Sequence, residues 1–438
     1  MIFGRKRAAA PPPEEPEVEE EIPDGDDDAT GDLEPEQGAG DTEMEWRDRA
    51  SAVIAGGAST GSKRPEALYG PGNAYGPTHF TRARGCIITT VGGVELTDCT
   101  MSLGAVAIGY ADSVVARSVS DAALGGNVAG LSHVLEVIVA ERICDVIPCA
   151  EQVRFLKSGA EAVAAAVRLA RTYTGRDRIV GSGYFGWHDW SNTAAGVPNA
   201  VRRDYASVPF DDVAALERAV EEAGDQLAAV ILEPVVERLP SEEWVRAARR
   251  LCDARGAVLI FDEIKTGFRL ATGGYQEYAG IEPDLATFGK ALANGYPLSA
   301  VVGRAALMEA ASQTWISSTL AGESTGLAAA NAVLDWHERA EVCEALWSAG
   351  AEMRGALDRA RVASGIEGVT VDGIDPMWLL RWDDPVRESR FLELSLQEGV
   401  LFKRGAYNFA SLAHDADAIA AIESAASTAF VALRDEDA

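Results

Sequence analysis

Three polar residues in this 438-residue chain stand directly behind apolar runs, where an open parallel sheet gathers its ligand-binding groups at the carboxyl ends of its strands. Asp262 closes the run in AVLIFDEI, Glu233 follows AAVIL, and Lys290 in PDLATFGKAL comes after an extended segment and ahead of a helix. Singly, each has an ordinary reading as a turn cap, a surface ion pair or a solvated lysine. Jointly, an aspartate and a lysine at sheet ends meet two needs of one chemistry. A cationic pyridine nitrogen needs a buried carboxylate to stay protonated and act as an electron sink, and an aldehyde needs an amine within reach. The third need is a phosphate cradle. FLKSGAEAVAAAVRLAR (155–171) places Ser158 and Gly159 where a strong helix begins, so free backbone N–H groups and the positive helix end face an anion. The same letters also spell a helix N-cap, with Glu161 as capping-box partner of Ser158. Together these residues suit pyridoxal 5′-phosphate, held as a Schiff base on Lys290, with Asp262 paired to the ring nitrogen.

Two other motifs point elsewhere. GSGYFG (181–186) has the G-x-G-x-x-G form of a dinucleotide site and follows a strand, which would make the chain a nicotinamide-dependent dehydrogenase. However, WHDWSN follows it instead of a helix. VLIFDE has the look of a Walker B strand, yet no GxxxxGK[ST] exists anywhere in the chain, which excludes a P-loop ATPase.

The elements that must position the site alternate along the chain. Periodicity predicts helices at 160–173, 211–223 and 241–254, and strands near 178–181, 227–232, 256–261 and 298–303. Such alternation implies a large, mainly parallel sheet covered by helices on both faces. Short strand-like runs at 86–91 and 94–98 flank the turn Gly92-Gly93. Beyond 325 the pattern gives helices at 325–338 and 341–363, two strands near 368–381, and helices at 387–397 and 415–433, a smaller α+β domain. The organisation expected is an acidic disordered tail over 1–45, a segment at 46–115 that belongs to the small domain, the large domain at 116–325 and the small domain at 326–438.

Composition narrows the partners. The net charge of −29 is spread over both parts, −13 in the first 45 residues and −16 in the rest. No basic face is available for nucleic acid or an anionic membrane. The basic start lacks the apolar run of a signal peptide and no later segment reads as apolar for some 18 residues, so a cytoplasmic protein without membrane spans is expected. Six scattered cysteines, with no CxxC pair or histidine cluster, argue against a metal site or a disulfide framework. Lysine is scarce, at six residues against 33 arginines, so each one carries weight.

Beyond these readings, the ordered set SGAEA (158–162), GYFGWHDW (183–190), ILEPVV (231–236), IFDEIKTGFR (260–269), PDLATFGKALANGYPL (283–298) and SSTLAGE (317–323) resembles class III aminotransferases, and more narrowly the glutamate-1-semialdehyde aminomutase subgroup. The resemblance runs from about Gly56 to His414. It implies a fold-type I pyridoxal-phosphate transferase, a homodimer with shared active sites, and Lys290 as the Schiff-base lysine that also moves protons. It further implies Asp262 on the pyridine nitrogen, Ile264 and Tyr184 on the two ring faces, and Glu233 on the phenolic oxygen side. The backbone amides of Gly159 and Ala160 would take the phosphate, completed by Thr319 of the partner subunit.

Departures from the family pattern bear on the substrate. Ala160 replaces a threonine, Phe185 replaces a histidine, and the stretch from Gly186 to Gly196 is far shorter than the aminomutase's gating loop. Ala406 stands where that enzyme has an acid, and Thr60 and Lys63 replace its serine and arginine. These changes favour transfer between an amino-acid donor and a carbonyl acceptor by a ping-pong mechanism. The intramolecular aminomutase shift is the alternative, and a non-catalytic binding protein of the same fold is more remote. Lys63, His188 and Arg404 are candidate substrate contacts.

Overall fold

A seven-stranded sheet forms the centre of the computed structural model, which describes residues 42–72 and 76–437. Its strands run in the spatial order Gln152–Leu156, Ser299–Gly303, Leu285–Phe288, Val258–Asp262, Leu227–Leu232, Arg178–Ser182 and Tyr205–Ser207. Only Ser299–Gly303 runs antiparallel to its neighbours. Strands of this kind, buried on both faces, need apolar side chains at every position. Leu227–Leu232 and Val258–Asp262 are buried throughout.

The two-residue period sends alternate side chains to opposite layers. Val258 and Ile260 join Ala229 and Ile231 in packing against the helix Gly159–Thr174, whose Ala162, Ala165, Ala166 and Ala170 let it lie close to the sheet. Leu259, Phe261, Val230 and Leu232 face the helices Val213–Ala223 and Glu242–Arg255. By the same parity Asp262 falls on the Gly159 side, at the carboxyl edge of the sheet.

The described residues pack as one unit. Four strands, Phe80–Arg84, Ile87–Thr90, Glu95–Asp98 and Val400–Leu401, share a sheet, so the blocks at 46–115 and 326–438 are joined by strand pairing. Val369–Ile374, Met377–Trp382 and Asn408–Phe409 form a third, antiparallel sheet.

Three expectations need correction. Residues 42–45, assigned to the acidic tail, cap and open the helix Glu43–Val53: Thr42 and Glu45 form a reciprocal capping box, which offsets the poor apolar content. The remainder of the tail, 1–41, lies outside the described residues. The helices Ser113–Gly125 and Val134–Val146 and the strand Gln152–Leu156 were not anticipated. Finally, the helix Ala416–Asp437 is long and apolar enough, by length and composition, to cross a bilayer. Its Ile419, Ile422, Ala426, Ala429, Phe430 and Leu433 instead enter a core cluster with Phe391 and Trp378.

Arg269 ties these parts together. It is fully buried and donates to the carbonyls of Pro376 (3.2 Å), Ala410 (2.8 Å) and Gly104 (3.1 Å), three segments far apart in sequence. Burial lowers its pKa to about 10, which leaves it a cation at neutral pH. Arg269→Met strands these buried acceptors and is expected to cost about 3 kcal/mol in urea unfolding. A loss below about 1 kcal/mol would show that the carbonyls find other partners.

Candidate active site

Residues from the carboxyl ends of the parallel strands converge on a cavity of about 410 Å3. Asp262 ends its strand and is buried. Both hydrogen bonds it accepts fall on Oδ1, from the Ile264 N–H (3.1 Å) and the Thr287 hydroxyl (3.2 Å), leaving Oδ2 without a donor among the described residues. Burial pushes its pKa up to about 7 with help from Glu233, against the pull of those hydrogen bonds and of Lys290.

Lys290 follows Leu285–Phe288 and Gly289, and takes a left-handed φ of 48°, an unusual conformation for a side chain of this size. Its pKa is lowered to about 8, first by burial and then by the neighbouring Lys265, while Glu233 and Asp262 oppose the shift. An amine of lowered pKa keeps more of its neutral form near neutrality than an ordinary lysine, as a nucleophile or general base requires.

Glu233, directly behind Leu227–Leu232, is held at both oxygens. Oε1 lies 2.6 Å from Lys265 Nζ, and Oε2 accepts the Tyr184 N–H at 3.0 Å. Gly183 permits this approach: at φ 135° it adopts a conformation side chains avoid, and a Cβ there would stand 2.3 Å from Glu233 Cβ. The Tyr184 ring is exposed in the single chain and lines the cavity.

The start of the helix Gly159–Thr174 leaves backbone N–H groups open to the cavity. Ser158 and Glu161 complete their capping box, so the N-cap reading holds as well, and the N–H groups of Gly159 and Ala160 have no acceptor among the described residues. A Cβ at Gly159 would meet three Ile264 side-chain atoms at 3.2–3.3 Å, so glycine keeps the approach to these N–H groups open. An open anion cradle, an unused carboxylate oxygen and a buried amine of lowered pKa on one cavity are the donor set that pyridoxal phosphate requires, and the residues fit it.

Of the twelve residues singled out from sequence, the cavity gathers Ser158, Gly159, Ala160, Tyr184, Glu233, Asp262, Ile264 and Lys290. Four lie elsewhere. Thr319 lines a second cavity with Leu131 and Ser318. Lys63 is exposed at the end of a short turn and borders a third cavity beside Tyr69 and Asp98. His188 sets its ring perpendicular to that of Trp187, with centroids 4.9 Å apart, and Arg404 faces Glu388 at 3.8 Å. Sequence reasoning missed Lys265, which lines the cavity and is buried. Its place three residues after Asp262, in a lysine-poor chain, was the available signal.

The dinucleotide alternative fails on geometry. After Ser182 the chain runs through turns to Asp204, and the next helix begins at Val213, so GSGYFG offers no helix N-terminus to a pyrophosphate. Phe185 instead stacks on Trp190 (5.8 Å), which packs edge-on against Tyr205 (5.4 Å).

The chain matches the family described as aminotransferase class-III over residues 71–413. It is 34 % identical over 411 residues to a glutamate-1-semialdehyde 2,1-aminomutase of Neisseria meningitidis serogroup C, covering 85 % of this chain and 94 % of that protein. It is also 34 % identical over 345 residues to a 2'-deamino-2'-hydroxyneamine transaminase of Streptomyces kanamyceticus, covering 78 % and 86 %. Among solved structures, the pyridoxal-phosphate internal aldimine form of the FumI protein of Sphingopyxis sp. MTA144 superposes with a TM-score of 0.86 at 29 % identity, covering 90 % of this chain and 97 % of that one.

Gly186, at φ 85°, packs on the cradle so closely that a Cβ would sit 2.5 Å from Ala160 Cβ. Gly186→Ala is therefore expected to weaken retention of pyridoxal phosphate about tenfold, or ~1.4 kcal/mol, in equilibrium dialysis. Unchanged retention would mean that the cradle can shift without loss.

Proposed function

The chain belongs to the class-III aminotransferases, and from that membership we propose that its reaction is transfer of an amino group from an amino-acid donor to a carbonyl acceptor, in two half-reactions, with the donor leaving as an oxo acid before the acceptor binds. It is a pyridoxal-phosphate enzyme of fold type I. When bound, the cofactor supplies an electron sink for the charge that develops at the substrate carbon.

The chain's own residues supply the rest. The N–H groups of Gly159 and Ala160 would hold the phosphate, and Ile264 and Tyr184 would enclose the ring. Asp262 Oδ2 would accept from the protonated ring nitrogen, and that adjacent cation favours the ionised carboxylate over the neutral acid which burial alone promotes. Lys290 Nζ would hold the cofactor's aldehyde group and, as an amine of lowered pKa, would be placed to accept a proton from the donor carbon and to return one to the acceptor carbon.

One observation carries the choice of transfer over the intramolecular shift. The stretch after Gly186 is short and is pinned by Trp190 between Phe185 and Tyr205, so it lacks the length and freedom of a lid that would retain a half-reacted substrate. The absence of an acid at Ala406 and the remote position of Lys63 support the same reading. Glutamate or another α-amino acid is the default donor.

The visible spectrum of the purified holoenzyme under a panel of amino acids tests this proposal. A donor should bleach the aldehyde band and release a stoichiometric oxo acid before any acceptor is added. Turnover without a dissociable donor would instead establish the aminomutase. Lys290→Ala is expected to lower turnover about a thousandfold or more while the melting temperature holds. Full activity in that variant would sink the mechanism.

We infer further that two chains associate through the face bearing Leu124, Leu131, Val134, Val137, Trp315 and Leu320, all strongly exposed in the single chain. Thr319 and Leu131 line one cavity there, and in a homodimer Thr319 would reach the partner's phosphate cradle. Sedimentation should give a dimer that Leu131→Asp dissociates with loss of activity. A fully active wild-type monomer would overturn this assembly.

A further inference from the structure

Three of the chain's six lysines, Lys157, Lys265 and Lys290, line the same cavity, and Lys157 is already engaged by Glu323 at 2.6 Å. We propose that Lys265 is a positioning residue that governs the protonation of Lys290, acting with Glu233 as a neutral pair that keeps a bare carboxylate from facing the reactive amine. The proposal rests on the assignment of Lys290 as the cofactor lysine.

The geometry separates this role from that of a simple clamp. Lys265 Nζ lies 2.6 Å from Glu233 Oε1 and 4.2 Å from the centre of the Tyr407 ring, and the Tyr407 hydroxyl in turn accepts the Glu237 N–H at 2.6 Å. Both charged side chains are largely withdrawn from water, at 8 % and 14 % exposure. A buried ion pair adds little net stability compared with apolar side chains of the same shape, so its presence in a functional cavity calls for another use. Glu233 already has a structural partner in the Tyr184 N–H, and Lys265 takes its other oxygen.

The groups facing one another are few. Lys290 is faced by Lys265, Glu233, Asp262 and Arg269; Asp262 by Glu233 and Lys290; Lys265 by Glu233 and Tyr407. Burial disfavours the charge on Lys265, but Glu233 and Tyr407 more than offset that and raise its pKa, so it remains an ammonium group. As a fixed cation it lowers the pKa of Lys290, while Glu233 raises it. Removing Lys265 alone deletes a cation and exposes an anion, and both changes make Lys290 harder to deprotonate. Removing Glu233 alone does the reverse, and removing both returns the corner to near neutrality.

The experiment follows the rate at which cofactor-free protein takes up pyridoxal phosphate as a function of pH, with circular dichroism as the folding control. Loading by the wild type should rise through about pH 8. Lys265→Met should move that midpoint up by about one pH unit, Glu233→Gln should move it down, and Lys265→Arg should leave it in place. The double variant Lys265→Met/Glu233→Gln should return close to the wild-type midpoint. That pattern would establish the pair's electrostatic role, and Glu233→Gln carries the test even if Lys265→Met alone fails to fold: a folded Glu233→Gln protein with the wild-type midpoint would overturn the proposal. A folded Lys265→Met protein with the wild-type midpoint, or a double variant displaced as far as Lys265→Met, would overturn the proposal. A wild type that takes up no cofactor would overturn the assignment of Lys290 on which it rests.

Discussion

A carboxylate buried at the end of a parallel strand tends to become a neutral acid, and a neutral acid cannot hold a ring nitrogen in its protonated form. Asp262 is under that pressure, and its surroundings resist it with fixed donors. The Ile264 N–H and the Thr287 hydroxyl both point at Oδ1. Thr287 can do so because the parallel register sets its Cα opposite that of Asp262. A one-residue slip in either strand would turn one of the two side chains to the far layer. The register is locked in turn by Ile260 and Leu285, which enter the core beneath the Gly159–Thr174 helix. The charge state of one aspartate thus depends on sheet packing several residues away.

Much of this was legible in the sequence, for physical reasons. Leu227–Leu232 and Val258–Asp262 are apolar on both faces, and a polar residue ending such a run stands out. The helices Gly159–Thr174 and Glu242–Arg255 each carry a distinct apolar stripe, so their limits agree with the periodicity to within one or two residues. The short N-cap stretch from Ser158 to Glu161 spells both a capping box and an anion cradle; the structure forms the capping box and leaves the Gly159 and Ala160 N–H groups open, since a capping side chain occupies only some of the free N–H groups.

Other features were hidden because they depend on tertiary contacts. Lys265 reads as one more polar residue in a loop; its meaning comes from Glu233 and Tyr407, 32 residues before and 142 after it. The substrate contacts expected at Lys63, His188 and Arg404 came from the family resemblance, and the neighbours these residues find, Glu388 beside Arg404 and Trp187 beside His188, depend on the folded chain. The helix at Glu43 escaped notice because a capping box needs only two residues, and these sit at the edge of a strongly acidic segment.

The helix Val134–Val146 joins the question of legibility to that of assembly. Val139 and Ile143 are buried in the core, while Val134, Val137 and Ile138 are exposed, so apolar side chains occupy both sides and no single stripe marks the element. A helix apolar all round ordinarily lies in a core. Here Glu136 and Ala140 of the same helix line a cavity with the segment from Ile316 to Glu323 that carries Thr319. In the proposed dimer, coverage of the exposed side by a second chain would account for the exposed valines and for Thr319 lining a cavity other than that of Gly159. The same covering would shelter Tyr184 and Trp187, which stand exposed at the mouth of the cavity in a single chain. Water excluded there would deepen the desolvation that already lowers the pKa of Lys290, so in the proposed dimer association would favour its reactive, neutral form.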